Sequence, residues 1–140
     1  MGAEVSASGQ FFTDKVSWNL GYTWLDHQDV STGKFLKYRP RNQFISGVGF
    51  HPGIFDFSVD YRYLSRYDQI DENFKNIIQN GDIRGETHVV DVHVGTSLYE
   101  KGIPASITFH INNLFQYNYI DLIGSIAPIR NFVLEVESTF

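Results

Sequence analysis

The chain has 140 residues, which suits a single domain, and 42% of them are apolar. Its net charge of -5 argues against the basic patch of a nucleic-acid-binding protein, and its lack of cysteine excludes disulfides, zinc–thiolate sites and cysteine catalysis. No run approaches the roughly 18 consecutive apolar residues of a transmembrane helix, whereas an aromatic content of 16% favours β-structure.

Apolar and polar residues alternate along seven stretches, and this period of two predicts seven β-strands. In chain order they are Ala3–Phe11, Val16–Leu25, Gln43–Phe50, Phe55–Tyr67, Val89–Tyr99, Ala105–Asn112 and Asn131–Phe140. Short turns follow the first, third and fifth strands, and long polar connections follow the second, fourth and sixth. The sequence therefore predicts an all-β fold with the strands in an antiparallel meander.

One side of each predicted strand is apolar and often aromatic, while the other side is small, polar or charged. The apolar side includes Val16, Trp18, Leu20, Phe55, Phe57, Val90, Val92, Phe109, Phe132 and Leu134. The fourth strand places Asp56, Asp60 and Arg62 together on its other side, which no dry core accepts unpaired. A membrane barrel turns its apolar side toward lipid and keeps polar residues in the lumen. This pattern favours transmembrane strands over a soluble sandwich.

Loop and strand lengths support the same interpretation. Outer-membrane barrels have short periplasmic turns and long extracellular loops, and the connections here alternate in that way. The strands also match the roughly 9 to 11 residues that cross a bilayer at a tilt. The sequence predicts antiparallel transmembrane β-barrel strands.

The final strand alternates up to a terminal aromatic carboxylate. Phe132, Leu134, Val136 and Phe140 share the apolar side, and Glu135 lies on the other. This ending resembles the signal that the barrel-assembly machinery reads in outer-membrane proteins.

Four local motifs carry a family resemblance. They are Leu36-Lys37-Tyr38-Arg39-Pro40-Arg41-Asn42-Gln43, Asp60-Tyr61-Arg62-Tyr63, Asn112-Asn113-Leu114-Phe115 and Pro128-Ile129-Arg130-Asn131-Phe132. In this order and spacing they resemble the last third of the barrel of a TonB-dependent outer-membrane receptor. The resemblance covers nearly the whole chain.

The resemblance implies a location in the bacterial outer membrane and active uptake of a scarce ligand, such as a metal–siderophore complex, cobalamin or an oligosaccharide. It implies outer-membrane lipid, TonB and the barrel-assembly machinery as partners. Barrels of this family have about 22 strands, and single-chain bacterial barrels close with even numbers. Residues 1–140 are therefore interpreted as the C-terminal segment of a larger barrel. This chain contains no plug domain, and other sequence supplies the plug and the remaining strands.

Candidate functional residues fall into two groups. Aromatic and basic donors in the long connections are candidate ligand contacts: Tyr38, Arg39, Arg41 and Tyr117. Polar residues expected in the lumen are Arg62, Arg66, Asp91, His93, His110 and Glu135. A polar lumen accounts for Asp91, His93 and His110 without a metal ion, so no metal or cofactor is predicted. No nucleophile motif or phosphate-binding loop is present, and no enzyme activity is predicted.

Two other hypotheses fit the same strands. The chain forms a self-contained small outer-membrane barrel with a structural or adhesion role, with an eighth strand in one of its loops. Alternatively, it forms a soluble ligand-binding barrel or sandwich, which should fold in water without detergent.

Overall fold

The computed structural model describes residues 1–68, 85–122, 125–126 and 128–139 of the chain. These ranges contain strands β1 (Gly2–Phe11), β2 (Val16–Leu25), β3 (Asn42–Phe50), β4 (Phe55–Leu64), β5 (Thr87–Ser97), β6 (Ala105–Asn112), β7 (Ile120–Leu122), β8 (Ser125–Ile126) and β9 (Asn131–Ser138), and a 3₁₀ helix, Tyr99–Lys101. The predicted all-β class is confirmed. No helix in these ranges is long and apolar enough to cross a bilayer.

Seven of the strands form one antiparallel sheet in the order β1-β2-β3-β4-β5-β6-β9. The predicted seven-stranded meander is therefore confirmed. Strands β7 and β8 form a separate two-stranded sheet in the connection between β6 and β9, where no strand was predicted. Strands β1 and β9 lie at the two edges, and the described residues show no pairing between them. The seven strands thus form an open wall rather than a closed barrel.

The predicted fourth strand is too long, because β4 ends at Leu64 and not at Tyr67. The ladder is interrupted at Ser65. The Ser65 N–H still donates to Asn42 O at 2.9 Å, but the Ser65 Oγ accepts the N–H groups of Arg41 and Asn42 at 3.1 and 3.0 Å. An isolated bridge then pairs Tyr67 with Pro40.

Two other strands also differ from their predicted ends. Strand β5 begins at Thr87 and ends at Ser97, because the chain then turns into the 3₁₀ helix, which closes on Gly102 at a φ of 77°. Strand β9 ends at Ser138, and the predicted last residue of the strand, Phe140, lies outside the described residues.

One face of the sheet, called the apolar face, carries the residues that the alternation predicts. Pairing aligns one row of it across six strands: Trp18, Val48, Val59, Val92, Ile111 and Phe132. Exposed fractions are 54% for Val48, 47% for Val59 and 60% for Phe132. Among the described residues Val89 is the only buried apolar side chain, and it lies on the opposite face. The sheet has no dry core of its own, so its apolar face requires apolar surroundings.

Aromatic rings pack in pairs along the apolar face. Phe109 stacks on Phe132 across β6 and β9, with ring centroids 6.1 Å apart. Phe11 and Trp18 stack at the same distance across β1 and β2. Gly9 leaves the space that the Trp18 indole fills, since a Cβ there would lie 2.8 Å from Trp18 Nε1. These contacts hold neighbouring strands together from the outside of the sheet.

The turn between β1 and β2 stores backbone strain. Phe12, Thr13 and Asp14 adopt φ values of 53°, 56° and 64° in succession. This region costs L residues roughly 1 to 2 kcal/mol each, whereas glycine adopts it freely. We expect Thr13→Gly to raise the free energy of unfolding by about 0.5 to 1 kcal/mol, the gain being reduced by the greater entropy of unfolded glycine. Urea unfolding of the intact protein in lipid vesicles measures the change.

Gly53 provides the opposite control for this prediction. It lies in the turn between β3 and β4 at a φ of 65°, and a Cβ there would meet no atom within 4 Å. Gly53→Ala should therefore lower stability by about 1 kcal/mol through backbone strain alone. A loss of stability in Thr13→Gly would contradict the assignment of strain to the first turn.

Candidate functional site

The other face of the sheet, called the polar face, carries hydroxyl, amide, imidazole and charged groups. Its residues include Glu4, Ser6, Ser8, Gln10, Ser17, Asn19, Gly21, Thr23, Gln43, Ile45, Gly47, Gly49, Asp56, Ser58, Asp60, Arg62, Val89, Asp91, His93, Gly95, Thr108, His110, Val133, Glu135 and Glu137. Nearly all the charges lie on β4 to β9, and Arg62 is the only Lys or Arg within the described strands. The β1–β3 part is almost neutral.

A recess of about 380 Å³ lies on the neutral part of the polar face. Its lining is Glu4, Ser6, Ala7, Ser8, Asn19, Leu20, Gly21, Thr23, Gln43 and Ile45. Ile45 leans across Gly21, where a Cβ would lie 2.9 Å from Ile45 Cγ1. Hydroxyl and amide groups in this recess both donate and accept, so it can hydrogen-bond an uncharged polar group.

Two glycines of β3 let side chains from the neighbouring strands meet over them. A Cβ at Gly47 would lie 2.6 Å from Asp60 Oδ1 and 2.7 Å from Asn19 Nδ2, so these side chains converge across β3. At Gly49 the converging groups are Ser17 and His51, whose Oγ and Nε2 are hydrogen-bonded at 3.1 Å. Because Gly47 and Gly49 have no side chain, groups from β2 can meet groups from β4 and from the turn after β3 across the surface of β3.

His51 extends this contact at the end of the sheet where the short turns lie, called the short-turn rim. Its Nδ1 bonds to Asp56 Oδ2, while its backbone N–H donates to Lys15 O at 2.7 Å. The His51 and Asp56 side chains are 39% and 52% exposed. The network joins the turn after β1 to the turn after β3, and a structural role accounts for its contacts.

We expect Gly49→Ala to break the Ser17–His51 hydrogen bond and to lower stability by about 1 kcal/mol. A Cβ at Gly49 would lie 2.5 Å from Ser17 Oγ and 2.9 Å from His51 Nε2, so one of them must move. The imidazole NMR signals of His51 and the urea unfolding curve report the change. Gly95→Ala is the control, since the nearest atom there is Thr108 Oγ1 at 3.3 Å. Equal behaviour of both variants would contradict the prediction.

The predicted lumen residues of β5, β6 and β9 gather on the polar face. His93 and His110 pair directly across two strands, with ring centroids 4.6 Å apart. His110 Nε2 lies 3.3 Å from Glu135 Oε2. Asp91 does not join them, because its Oδ1 accepts the backbone N–H of Asn113 at 2.7 Å. In the part of the chain that the structure describes, no three His, Cys, Asp or Glu side chains are grouped to hold a metal ion.

The two predicted lumen arginines have different positions. Arg62 lies within β4 on the polar face, where its Nη2 donates to the hydroxyl of Tyr119 at 3.0 Å. Arg66 follows the end of β4 and is exposed. The strand therefore places Arg62, but not Arg66, on the wall.

The connection between β2 and β3 lies at the opposite end of the sheet, called the long-loop rim. Arg41 Nε donates to Asp68 Oδ2 at 3.1 Å, and its guanidinium lies over the Phe35 ring at 4.5 Å. Tyr38 and Tyr67 pack edge to face. Arg39 is exposed and extends from this connection. Tyr38 and Arg41 of this connection thus take part in loop packing, whereas Arg39 is exposed.

His27 and Asp29 order the start of the same connection. His27 is 5% exposed, and its Nδ1 bonds to Leu25 O at 3.1 Å while its Nε2 is buried without a partner in the described ranges. Hydrogen bonds from the Ser31 hydroxyl, and then from the Ser31 and Thr32 N–H groups, hold the pKa of Asp29 below its ordinary value. Local side-chain hydrogen bonds of this kind are enough to fix the conformation of the loop without a ligand.

Tyr117 lies in the connection after β6 and is held by the sheet. Its hydroxyl donates to Glu86 O at 2.6 Å, and its ring packs against His88 with centroids 5.8 Å apart. Its backbone N–H donates to Asn113 Oδ1 at 2.7 Å. The structure thus gives this candidate ligand residue three contacts within the fold.

The sequence predicts no individual role for Asn113 or His51, which each connect separate elements, and it predicts Tyr119 only as an aromatic donor near the outer rim. Asn113 has a φ of 53° and is 3% exposed. The pair Asn112-Asn113 at a strand end carried a usable signal, because asparagine tolerates the left-handed region and caps the backbone. No comparable local signal marks Tyr119, whose partner Arg62 is 57 residues away.

A single antiparallel sheet with an exposed apolar face and a charged polar face is the wall of a transmembrane β-barrel. The family model described as TonB dependent receptor-like, beta-barrel matches residues 1–114. The chain belongs to this family, and the resemblance predicted from its motifs is confirmed. Membership places the protein in the bacterial outer membrane, with a role in transport.

In a transmembrane barrel the apolar side of the wall contacts lipid and the polar side lines the interior. Membership of the family supports contact of this protein with membrane lipid. Receptors of this family work with TonB and are transporters rather than enzymes. The soluble barrel hypothesis is therefore wrong.

Proposed function

We propose that residues 1–140 form the C-terminal segment of the barrel of a TonB-dependent receptor that takes up a scarce ligand across the outer membrane. A metal–siderophore complex, cobalamin and an oligosaccharide are the ligand classes considered. Other sequence supplies the remaining strands and the plug. The family match over residues 1–114 carries this proposal.

The open edges of the sheet support the larger barrel. Strands β1 and β9 each have a neighbour on one side within the described residues. Unpaired backbone N–H and C=O groups are costly in hydrocarbon, so each edge requires a further strand. A barrel of about 22 strands satisfies both edges.

Ligand contact is proposed at the long-loop rim, through Tyr38, Arg39, Arg41 and Tyr117. Arg39 is the most available of the four, because it is exposed whereas Arg41 and Tyr117 bond within the fold. The arginines offer forked donors for carboxylate, and the tyrosines offer amphipathic rings. Arg62, Arg66, Asp91, His93, His110 and Glu135 would line the path below this rim.

The assembly signal is proposed on β9. Phe132, Leu134 and Val136 lie on the apolar face and are 60%, 65% and 63% exposed. Phe140 would complete this row but lies outside the described residues. Recognition of such a strand by the barrel-assembly machinery would deliver the receptor to the membrane.

Growth on a limiting nutrient tests the transport proposal. Cells that lack the receptor gene, and cells in which it is restored, are compared on iron–siderophore, cobalamin or oligosaccharide as the limiting source. Restored growth that requires TonB supports the proposal. Growth on all of them that is independent of the receptor or of TonB would contradict it.

The alternative of a self-contained small barrel has its own test. The chain is expressed alone, inserted into detergent micelles and examined by electrophoresis with and without heating. A heat-modifiable monomer would show that these strands close by themselves and would favour a structural or adhesion role. Failure to close agrees with the open edges of the sheet.

A further inference from the structure

Arg62 is held under a cover formed by the chain segment after β6. Residues 113–119, called the strap, run from the end of β6 to β4, where the Tyr119 hydroxyl accepts the hydrogen bond from Arg62 Nη2 at 3.0 Å. The guanidinium also lies over the Tyr119 ring, 5.6 Å from its centroid. Both side chains are half-buried. The strap therefore covers the one cation that the described strands present on the polar face.

No carboxylate in the described ranges forms an ion pair with Arg62. Asp60, two residues earlier on the same face, converges with Asn19 across Gly47. Asp91 accepts the Asn113 N–H at 2.7 Å. Asp91 is thus engaged elsewhere, and Asp60 is directed toward β3. Among the described residues, the hydrogen bond given for the guanidinium is to a neutral phenol.

The surroundings of Arg62 favour an anion as its stronger partner. Its paired residue on β5 is Val89, which is 3% exposed, so apolar surface adjoins the guanidinium. Near such a surface charge-assisted bonds are less screened by water. A carboxylate or phosphate presents two charged oxygens to the guanidinium fork, whereas a phenol presents one neutral oxygen.

We propose that Arg62 binds an anionic oxygen group of the ligand and that Tyr119 is a cover which this group displaces. The base of the strap stays in place, because Asn113 bonds to Asp91 and to both backbone polar groups of Tyr117. Only the outer end of the strap has to move. This inference rests on the proposed function, since it names the chemistry of the ligand inside the same barrel.

The test uses the intact receptor in detergent, with inorganic phosphate as the probe. A fluorophore is attached at Asn118→Cys, an exposed position next to Tyr119. Phosphate is expected to lower the fluorescence anisotropy as the strap is released. Arg62→Met should weaken this response about tenfold or more, because the charge-assisted fork is lost. Lys101→Met, which removes an exposed cation at the short-turn rim, should leave the response unchanged.

Tyr119→Phe distinguishes a displaceable cover from a structural contact. Without the hydroxyl, the strap should be more mobile before phosphate is added, and phosphate should bind roughly 3- to 10-fold more tightly because its competitor is weaker. A purely structural contact would leave phosphate binding unchanged or weaken it.

Three results would overturn the inference: no phosphate response in the wild-type receptor, an equal response in Arg62→Met, or no gain in affinity in Tyr119→Phe. Because phosphate binding needs no TonB, a receptor that binds phosphate at Arg62 but supports no uptake in cells contradicts the proposed function alone.

Discussion

We expect Val92→Arg to lower the free energy of unfolding by about 2 to 4 kcal/mol. Val92 lies in the middle of β5 on the apolar face, in one row with Val59 and Ile111. This row faces hydrocarbon in the membrane, so a guanidinium there loses its water without gaining a counter-charge. Urea unfolding of the intact receptor in lipid vesicles measures the loss.

The neighbouring residue is the matched control. His93→Arg places the same side chain one position along β5, on the polar face. A water-lined interior tolerates charge, so the expected change is about 1 kcal/mol or less. Phe57→Arg, on the apolar face of β4, should behave like Val92→Arg. Equal losses for Val92→Arg and His93→Arg would show that the assignment of the two faces is wrong.

The two faces were predictable because one local rule determines them. Successive side chains in a strand point to opposite faces, so the alternation through Val92 and His93 also predicts their neighbours across the sheet. The pairing of His93 with His110 follows once β5 and β6 are joined by a short turn.

Strand ends were less predictable because they depend on single side chains. The apolar and polar alternation continues through Arg66 and Tyr67, yet β4 stops at Leu64. At Ser65 the regular pairing is interrupted, because the Ser65 Oγ accepts two backbone N–H groups of the segment entering β3. The sequence pattern does not show whether a serine side chain in an alternating stretch bonds to water or to backbone N–H groups of the neighbouring strand.

The sequence predicted which residues lie in the candidate site better than it predicted which of them contact each other. The sequence grouped Asp91 with His93 and His110, but Asp91 turns to the Asn113 N–H at the long-loop rim. The contact between Arg62 and Tyr119 crosses from β4 to the connection after β6. Contacts of this kind depend on how a loop folds back over the sheet. The alternation of apolar and polar residues carries no information about the path of a loop.

Asn113 is the residue on which the strap depends. Its Nδ2 donates to Tyr117 O at 2.8 Å and to Pro128 O at 3.3 Å, and its Oδ1 accepts the Tyr117 N–H at 2.7 Å. It is 3% exposed and adopts a φ of 53°, a left-handed conformation that asparagine tolerates better than alanine. Replacement by alanine would remove the side-chain partners of the Tyr117 backbone and would add backbone strain.

We expect Asn113→Ala to destabilise the strap by about 2 to 4 kcal/mol, as the sum of lost hydrogen bonds and the left-handed backbone. Hydrogen exchange at the Tyr117 amide in the intact receptor measures the loss. Asn113→Gly should lose about 1 to 3 kcal/mol, since glycine accepts the φ value but makes no side-chain bonds. The control Asn112→Ala removes one bond, to Asn131 Oδ1 at 2.8 Å, and should leave Tyr117 protected. Wild-type protection of Tyr117 in Asn113→Gly would show that the Asn113 side chain does not hold the strap.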